Sequence, residues 1–373
     1  MFVRRKKMKS FQLPLDYKPF IDKYFLRAKE ILQKENLNPI VKAQVFIRKG
    51  DCKVYGIDEA IAMLTKYTDT SKLEIHALKE GDFFESSETL MTIKAPIQEI
   101  IDLETMYLGV LSAETTLQNG GNDIFLADIY DNMKKIVDLI DGRPISYFGA
   151  RHWRYDRDYD IAKACKTAGA TNCSTDEGAK AWGDEAKGIG TIPHALQAIY
   201  HWKYGLKRAV VESTKAFDKY MPTNIPRIAL IDYANREISD TILTVSEMPH
   251  LYGIRIDTCG ENYMQGIIKR IREDEPYAFN KGVSIFGATL LHEVLKTEGD
   301  YKIMLSSGFG KLEKVEAFVE AEKEVGYQIF DGLGVGGVFE SRMATMDIIE
   351  VEGQKIHKVG RNPKSNKKLE RIM

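Results

Sequence analysis

Residues 302–325 read KIMLSSGFGKLEKVEAFVEAEKEV. A short apolar run, Lys302–Leu305, is followed by the turn Ser306-Ser307-Gly308-Phe309-Gly310, and then by apolar residues at helical spacing from Leu312 to Val325. A strand, a glycine-rich turn and a helix form the unit of a parallel sheet, because parallel neighbours have to be joined by a crossover. The unit recurs on both sides. Strands are expected at Ile145–Phe148, Arg227–Asp232, Gly253–Asp257 and Gln328–Phe330, and helices at His194–Trp202, Glu237–Met248, Glu261–Arg272 and Ile285–Lys296. Repeated alternation with right-handed crossovers favours a barrel over an open sheet.

The first part of the chain has another rhythm. Apolar and polar residues alternate over 40–55 around Lys49-Gly50-Asp51, which predicts a hairpin, and a second hairpin is expected in 74–95. Between them Ile57–Tyr67 has helical spacing, and Pro96 opens a long helical run, Ile97–Leu117, stopped by Asn119-Gly120-Gly121. Strands and helices without regular alternation point to an α+β module. The expected fold class is therefore α/β: an irregular β/α barrel over 141–350, an N-terminal α+β domain of α/β-sandwich type over 1–140, and a C-terminal segment over 351–373. Gly360–Met373 is basic and polar and reads as a solvated end.

Composition narrows the functions. The chain has 373 residues with 53 basic and 54 acidic side chains, a net of −1, which argues against a general nucleic-acid binder. Hydrophobic residues make up 44% and mean hydropathy is −0.30, so an extensive core is affordable. No run approaches the ~18 apolar residues of a membrane span. Met1–Ser10 is basic without an apolar stretch behind it, unlike a secretory signal. Cys52, Cys165, Cys173 and Cys259 form no CxxC pair, so a zinc knuckle is not expected, and reduced thiols in a cytoplasmic protein are the simplest reading.

In a βα barrel the side chains at the strand C-termini face the catalytic mouth. Reading only those positions collects Phe148-Gly149-Ala150-Arg151-His152, Asp232, Arg255 with Asp257, Ser306 to Gly310, and Asp331-Gly332-Leu333-Gly334-Val335-Gly336-Gly337. Glycine lets backbone N–H groups approach an anion, and a following helix adds its positive end. Glycines also make tight turns and nothing more, but two such loops on late strands favour a phosphate. Gly332-x-Gly334-x-x-Gly337 matches the dinucleotide fingerprint formally, yet too little chain follows to build a nucleotide-binding half, and NAD is rejected. His194 follows Thr191, a candidate N-cap, and Pro193, which suits a first helical turn. The helix end there favours a neutral, nucleophilic imidazole, and would favour a phosphoryl group on it; a hydrogen-bonded histidine of no chemical role fits the same position. Arg255 and Asp257 share a strand face and form either a site pair or a structural ion pair.

Together these stretches resemble the nicotinate phosphoribosyltransferase family, of the type II phosphoribosyltransferases. The likeness rests on Phe148–His152, Gly190-Thr191-Ile192-Pro193-His194-Ala195, Arg255-Ile256-Asp257-Thr258, Leu305–Gly308, Asp331–Gly337 and, near the start, Asp22-Lys23-Tyr24-Phe25-Leu26-Arg27, all in family order. It implies transfer of phosphoribose from phosphoribosyl pyrophosphate to nicotinate with Mg²⁺, coupled to ATP hydrolysis through a phosphohistidine, in homodimers with shared sites. His194 would be phosphorylated. Phe148 and Tyr24, the latter offered by the neighbouring subunit or its own, would flank the pyridine. Arg151 would face base and phosphates, Arg255 and Asp257 the ribose and base, and Ser307, Gly308, Gly336 and Gly337 the 5′-phosphate. Asn172 stands where relatives often place an acid, and Thr258-Cys259-Gly260-Glu261 where many have Ser-Gly-Asp. No protein metal ligands are expected, since substrate and water oxygens satisfy magnesium. The rivals are a quinolinate enzyme, a nicotinamide enzyme, and a sensor that binds the mononucleotide without turning it over.

Overall fold

The computed structural model describes residues 10–267 and 275–373. The basic segment 1–9 and residues 268–274 lie outside them.

Along the chain, β1 (Ile40–Ile47) is followed by the short β2 (Cys52–Lys53), β3 (Glu74–Ala77), the short β4 (Phe83–Phe84) and β5 (Thr89–Pro96). The helix Ile57–Tyr67 falls where its spacing predicts, and β3 pairs antiparallel with β5 as the second hairpin requires. The first hairpin does not form. β1 pairs with β5 on one side, while β2 turns away to pair with β4. Nearly every residue of β1 from Val41 to Ile47 is buried, so it is a central strand and needs long neighbours on both edges, which a two-residue strand cannot supply. The run after Pro96 breaks into Ile97–Ile100 and Glu104–Gln118. The second of these is buried almost all round, because it is wedged between the first sheet and the barrel.

The barrel strands are β6 (Ile145–Tyr147), β7 (Asn172–Cys173), β8 (Ile228–Leu230), β9 (Gly253–Ile256), β10 (Lys302–Leu305) and β11 (Gly332–Val335). They form one six-stranded parallel sheet in the order β7-β6-β11-β10-β9-β8. It curls without pairing its outer strands. The gap is spanned by the segment before His194, where Ile189 N donates to Cys173 O on β7 (2.9 Å) and the Thr191 hydroxyl donates to Ile228 O on β8 (2.8 Å). The mixed α/β architecture, with an irregular parallel barrel and an antiparallel domain, is the one expected.

Three elements differ from expectation. The last barrel strand is Gly332–Val335 and not Gln328–Phe330, and β7 carries no sequence signal at two residues long. Residues 261–267 of the expected helix Glu261–Arg272 are turn, and its remainder lies outside the described residues.

After the barrel the chain returns to the first sheet. β12 (Ala344–Val351) pairs antiparallel along β1, from Ile47 beside Ala344 to Val41 beside Val351. β13 (Gln354–Lys355) extends β12, and β14 (Glu370–Arg371) pairs with β3. The tail is thus a strap across the first sheet rather than a free end. Among the described residues no helix is long and apolar enough to cross a membrane.

Asp158, at the start of the helix Asp158–Ala168, is 2% exposed and accepts the Thr175 hydroxyl. Burial pushes its carboxyl up to about 7 from 3.8. Between those values the native state keeps a proton that the unfolded chain has released, so stability falls as pH rises through the window. Asp158→Asn is expected to flatten that slope by about 1–3 kcal/mol between pH ~4 and ~7, read as denaturant midpoints at both pH values. An unchanged slope would remove Asp158 from the account.

Candidate active site

The pleat decides which side chains meet. Across the barrel sheet Leu230 lies beside Arg255, Arg255 beside Met304, Met304 beside Gly332, Gly334 beside Ser146, and Ser146 beside Asn172. Side chains alternate along a strand, so these residues share the inward face. Asp232, Asp257, Ser306, Phe148 and Gly336 come two residues later and continue that face at the C-terminal ends. This single row joins most of the positions picked from the sequence.

At its centre Arg255 Nη1 donates to Ser306 Oγ (3.3 Å) and lies 3.8 Å from Asp257 Oδ2, while the Ser306 hydroxyl donates to Asp257 Oδ1 (2.8 Å). The guanidinium carbon sits 5.7 Å from the centroid of the half-buried Phe148 ring. That ring occupies the space over Gly334, where a Cβ would come within 2.7 Å of it and 3.2 Å of Ser306 Cβ. A Cβ on Gly332 would meet Met304 Sδ at 3.0 Å. The glycines read as a turn are therefore in a strand, kept small so that inward neighbours fit. Gly334→Ala is expected to displace Phe148 and cost about 1–3 kcal/mol of stability by overpacking, measured by chemical denaturation; an unshifted midpoint would show that the ring yields freely.

His194 is the first residue of the helix His194–Tyr204. The N-cap is Pro193 and not Thr191, whose hydroxyl is spent on β8. His194 Nε2 lies 3.0 Å from Asp232 Oδ1 and 3.1 Å from Lys358 Nζ. Lys358 also donates to Asp232 Oδ2 and, at 3.4 Å, to Asp257 O. Burial, then the lysine charge, holds the imidazole below its ordinary value, so the ring is neutral. Burial alone would raise the Asp232 carboxyl, but Lys358 and His194 outweigh it and hold it below the carboxylate range. Burial likewise opposes the Lys358 charge, and Asp232 overcomes it.

Arg151 Nη1 donates to Glu104 Oε1 (2.7 Å) from the buried helix. Burial pushes Glu104 up to about 8 against the pull of Arg151. Arg151 lies in the short turn Ala150–His152 that follows β6, at the C-terminal end of the barrel strands. Tyr24 of the same chain is 8% exposed, its hydroxyl donates to Asp22 Oδ2 (3.0 Å), and its ring packs on Gly190. Asn172 points inward with its Oδ1 buried and unpartnered.

The two glycine loops lie against each other, since a Cβ on Gly310 would strike the Gly337 backbone. Ser307 and Gly308 have φ of 69° and 88°, and a Cβ on Gly337 would meet open space. Lys314, 6% exposed, donates to Ser307 O (2.9 Å) behind this loop, and burial pushes it down to about 8.

The structure thus gathers Arg151, His194, Asp232, Arg255, Asp257, Ser306 and Phe148 at one mouth, with Tyr24 and Asn172 at its β7 side and Ser307, Gly308, Gly336 and Gly337 on its loops. Sequence reasoning missed Glu104, Lys314 and Lys358. No local pattern marks Lys358. No local pattern marks Glu104 either, since Glu99, Asp102 and Glu114 lie in the same run.

Residues 22–115 match the model of the quinolinate phosphoribosyl transferase N-terminal domain. By sequence, no curated protein matches the chain. Among solved structures, a nicotinate phosphoribosyltransferase from Porphyromonas gingivalis is 12% identical, with 92% of this chain and 93% of that one covered and a TM-score of 0.66. A Saccharomyces cerevisiae protein assigned the same activity is 14% identical over 96% of this chain and 97% of that one, TM-score 0.68. The Vibrio cholerae nicotinate phosphoribosyltransferase is 12% identical over 92% and 88%, TM-score 0.64. Residues 22–115 are thus similar to a quinolinate phosphoribosyl transferase N-terminal domain, and the chain as a whole shares the fold of these solved nicotinate phosphoribosyltransferases.

Proposed function

We propose that the protein joins nicotinate to the phosphoribosyl group of phosphoribosyl pyrophosphate, giving nicotinate mononucleotide and pyrophosphate, with ATP hydrolysis coupled through His194. The observation that carries this reading is the convergence of separate loops on one row of inward side chains, with an arginine–carboxylate pair at its centre and glycine loops at its rim.

In the transfer the bond from ribose C1 to the pyrophosphate oxygen breaks and the pyridine nitrogen forms its bond to C1. Positive charge gathers on the ribose, where the Asp257 carboxylate, oriented by Ser306 and Arg255, offsets it. No strong base is needed, so positioning does most of the work. Phe148 and Tyr24 flank the pyridine, and Ser307, Gly308, Gly336 and Gly337 hold the 5′-phosphate. Among the described residues no cluster of three or more carboxylate, histidine or cysteine side chains is built for a metal. A Mg²⁺ arriving with the phosphates would take its oxygen ligands from them and from water, and would supply charge that offsets the departing pyrophosphate.

Nicotinate is favoured over quinolinate by how the cations are committed. Lys358 is paired with Asp232 and Arg255 with Asp257, which leaves Arg151 as the cation at the mouth for a ring carboxylate and little positive charge for a second one. The match of residues 22–115 supports the quinolinate reading. The test offers nicotinate, nicotinamide and quinolinate separately with phosphoribosyl pyrophosphate and Mg²⁺, with and without ATP, and identifies products by mass. Nicotinate mononucleotide formed faster with ATP supports the reading. Product from quinolinate or nicotinamide alone replaces it, and tight mononucleotide binding without pyrophosphate release makes the protein a sensor.

A further inference from the structure

The contact that nothing in the barrel supplies comes from the C-terminal strap. After β13 the chain crosses to the mouth, where Val359 N donates to Tyr233 O (3.0 Å) and Asn262 Nδ2 donates to Val359 O (2.7 Å). These bonds aim Lys358 inward. It is 5% exposed, and Asp232, its partner, is wholly buried.

An ammonium, a carboxylate and one imidazole nitrogen in mutual contact have few arrangements. Lys358 only donates, ionised Asp232 only accepts, and Nε2 does either. If Nε2 carries the proton it donates to Asp232, and Nδ1 keeps its lone pair. If it does not, it accepts from Lys358 and the proton sits on Nδ1. In both cases the ring is neutral and Nε2 is engaged. Without Lys358, the buried carboxylate would have the imidazole as its nearest cation, and the ring would take a second proton and lose its lone pair.

We propose that Lys358 is a positioning residue for His194: by pairing with Asp232 it keeps the imidazole uncharged, and the tautomer whose Nε2 proton faces Asp232 then offers its Nδ1 lone pair to a phosphoryl group. The inference rests on the phosphohistidine of the proposed function. In that step the Nδ1 lone pair forms the bond to the γ-phosphorus of ATP, the bond from that phosphorus to the β,γ-bridging oxygen breaks, and its electrons leave with ADP. The Nε2 proton stays on the ring, held by Asp232, while Lys358 offsets the charge arriving with the phosphoryl group. His194 is faced by Asp232 after β8, Asp257 after β9 and Lys358 on the strap; Lys358 in turn is faced by Cys259 and, from β12, by Asp347.

The experiment uses the full chain and two readouts. Imidazole nitrogen NMR, with His194 assigned by its loss in His194→Ala, reports the charge on the ring without any nucleotide. His194 is expected to be neutral near pH 7 in the wild type, charged in Lys358→Met, and neutral again in the double replacement Asp232→Asn with Lys358→Met. Radiolabelled γ-phosphate of MgATP reports phosphorylation as acid-labile label: Lys358→Met is expected to label ~10-fold more slowly near pH 7 and to recover toward pH ~9, as a ring held protonated would, while Lys358→Arg labels normally. A neutral His194 in Lys358→Met, or a wild-type labelling rate with a flat pH profile, overturns the proposal. If the methionine variant does not fold, Lys358→Gln is read in the same way. A wild type that takes no label refutes the phosphohistidine, whereas the NMR result still decides what Lys358 does to the ring.

Discussion

In a His194→Ala protein, ATP hydrolysis coupled to product formation is expected to vanish, while part of the phosphoribosyl transfer remains. The imidazole is the group at the mouth with the right make-up to take a phosphoryl group: neutral, at a helix start, and, in the tautomer whose Nε2 proton faces Asp232, with its Nδ1 lone pair on offer. Removing the accepting atom removes the step, a loss on the order of 10³ or more in coupled turnover. The proposed transfer relies on Arg255, Asp257 and the glycine loops, none of which the substitution touches. Asp232 keeps Lys358 as its partner, so no buried charge is stranded and stability should change by no more than about 1 kcal/mol. Parallel assays of ADP and of mononucleotide check this. Undiminished ADP formation would take the phosphoryl role away from His194.

Arg255→Ala should cost the transfer itself ~10²–10⁴ in kcat/KM, or about 3–5 kcal/mol of transition-state stabilisation. The guanidinium is the shared neighbour of Asp257, Ser306 and Phe148. Its loss leaves the carboxylate with a single hydroxyl donor and uncovers one face of the aromatic ring. Arg255→Lys should restore little, because one ammonium cannot reach the Ser306 hydroxyl and Asp257 Oδ2 while lying over a ring. Steady-state kinetics with each substrate varied in turn would decide. A loss smaller than about threefold would make the pair an ordinary ion pair of the barrel.

The mouth of the barrel was readable because its chemistry sits where chain conformation is also restricted. Arg255 and Asp257 had to share a face once Gly253–Ile256 was a strand, and Ser307 and Gly308 lie in the left-handed backbone region that a glycine-rich loop signals. The same habit misled at Gly332–Val335, where glycine serves not the backbone but the Phe148 and Met304 side chains packed across it. Pairing between distant strands was beyond reach. Alternation in Ile40–Ile47 marks a strand but does not name its neighbours, so a local hairpin was the natural and mistaken choice. Lys358 was hidden for the same reason, since its role depends on where a strap lands and not on the residues beside it.

The pairing of β1 with β12 has a consequence for how the molecule is made. On the ribosome, Ile40–Ile47 emerges and can zip onto Thr89–Pro96 at once, but its other edge stays bare until nearly the whole barrel has been translated. A buried-type strand with one open edge is a template for a wrong chain. Nascent protein shortened before Ala344 should therefore depend on chaperones in a way that the finished polypeptide does not.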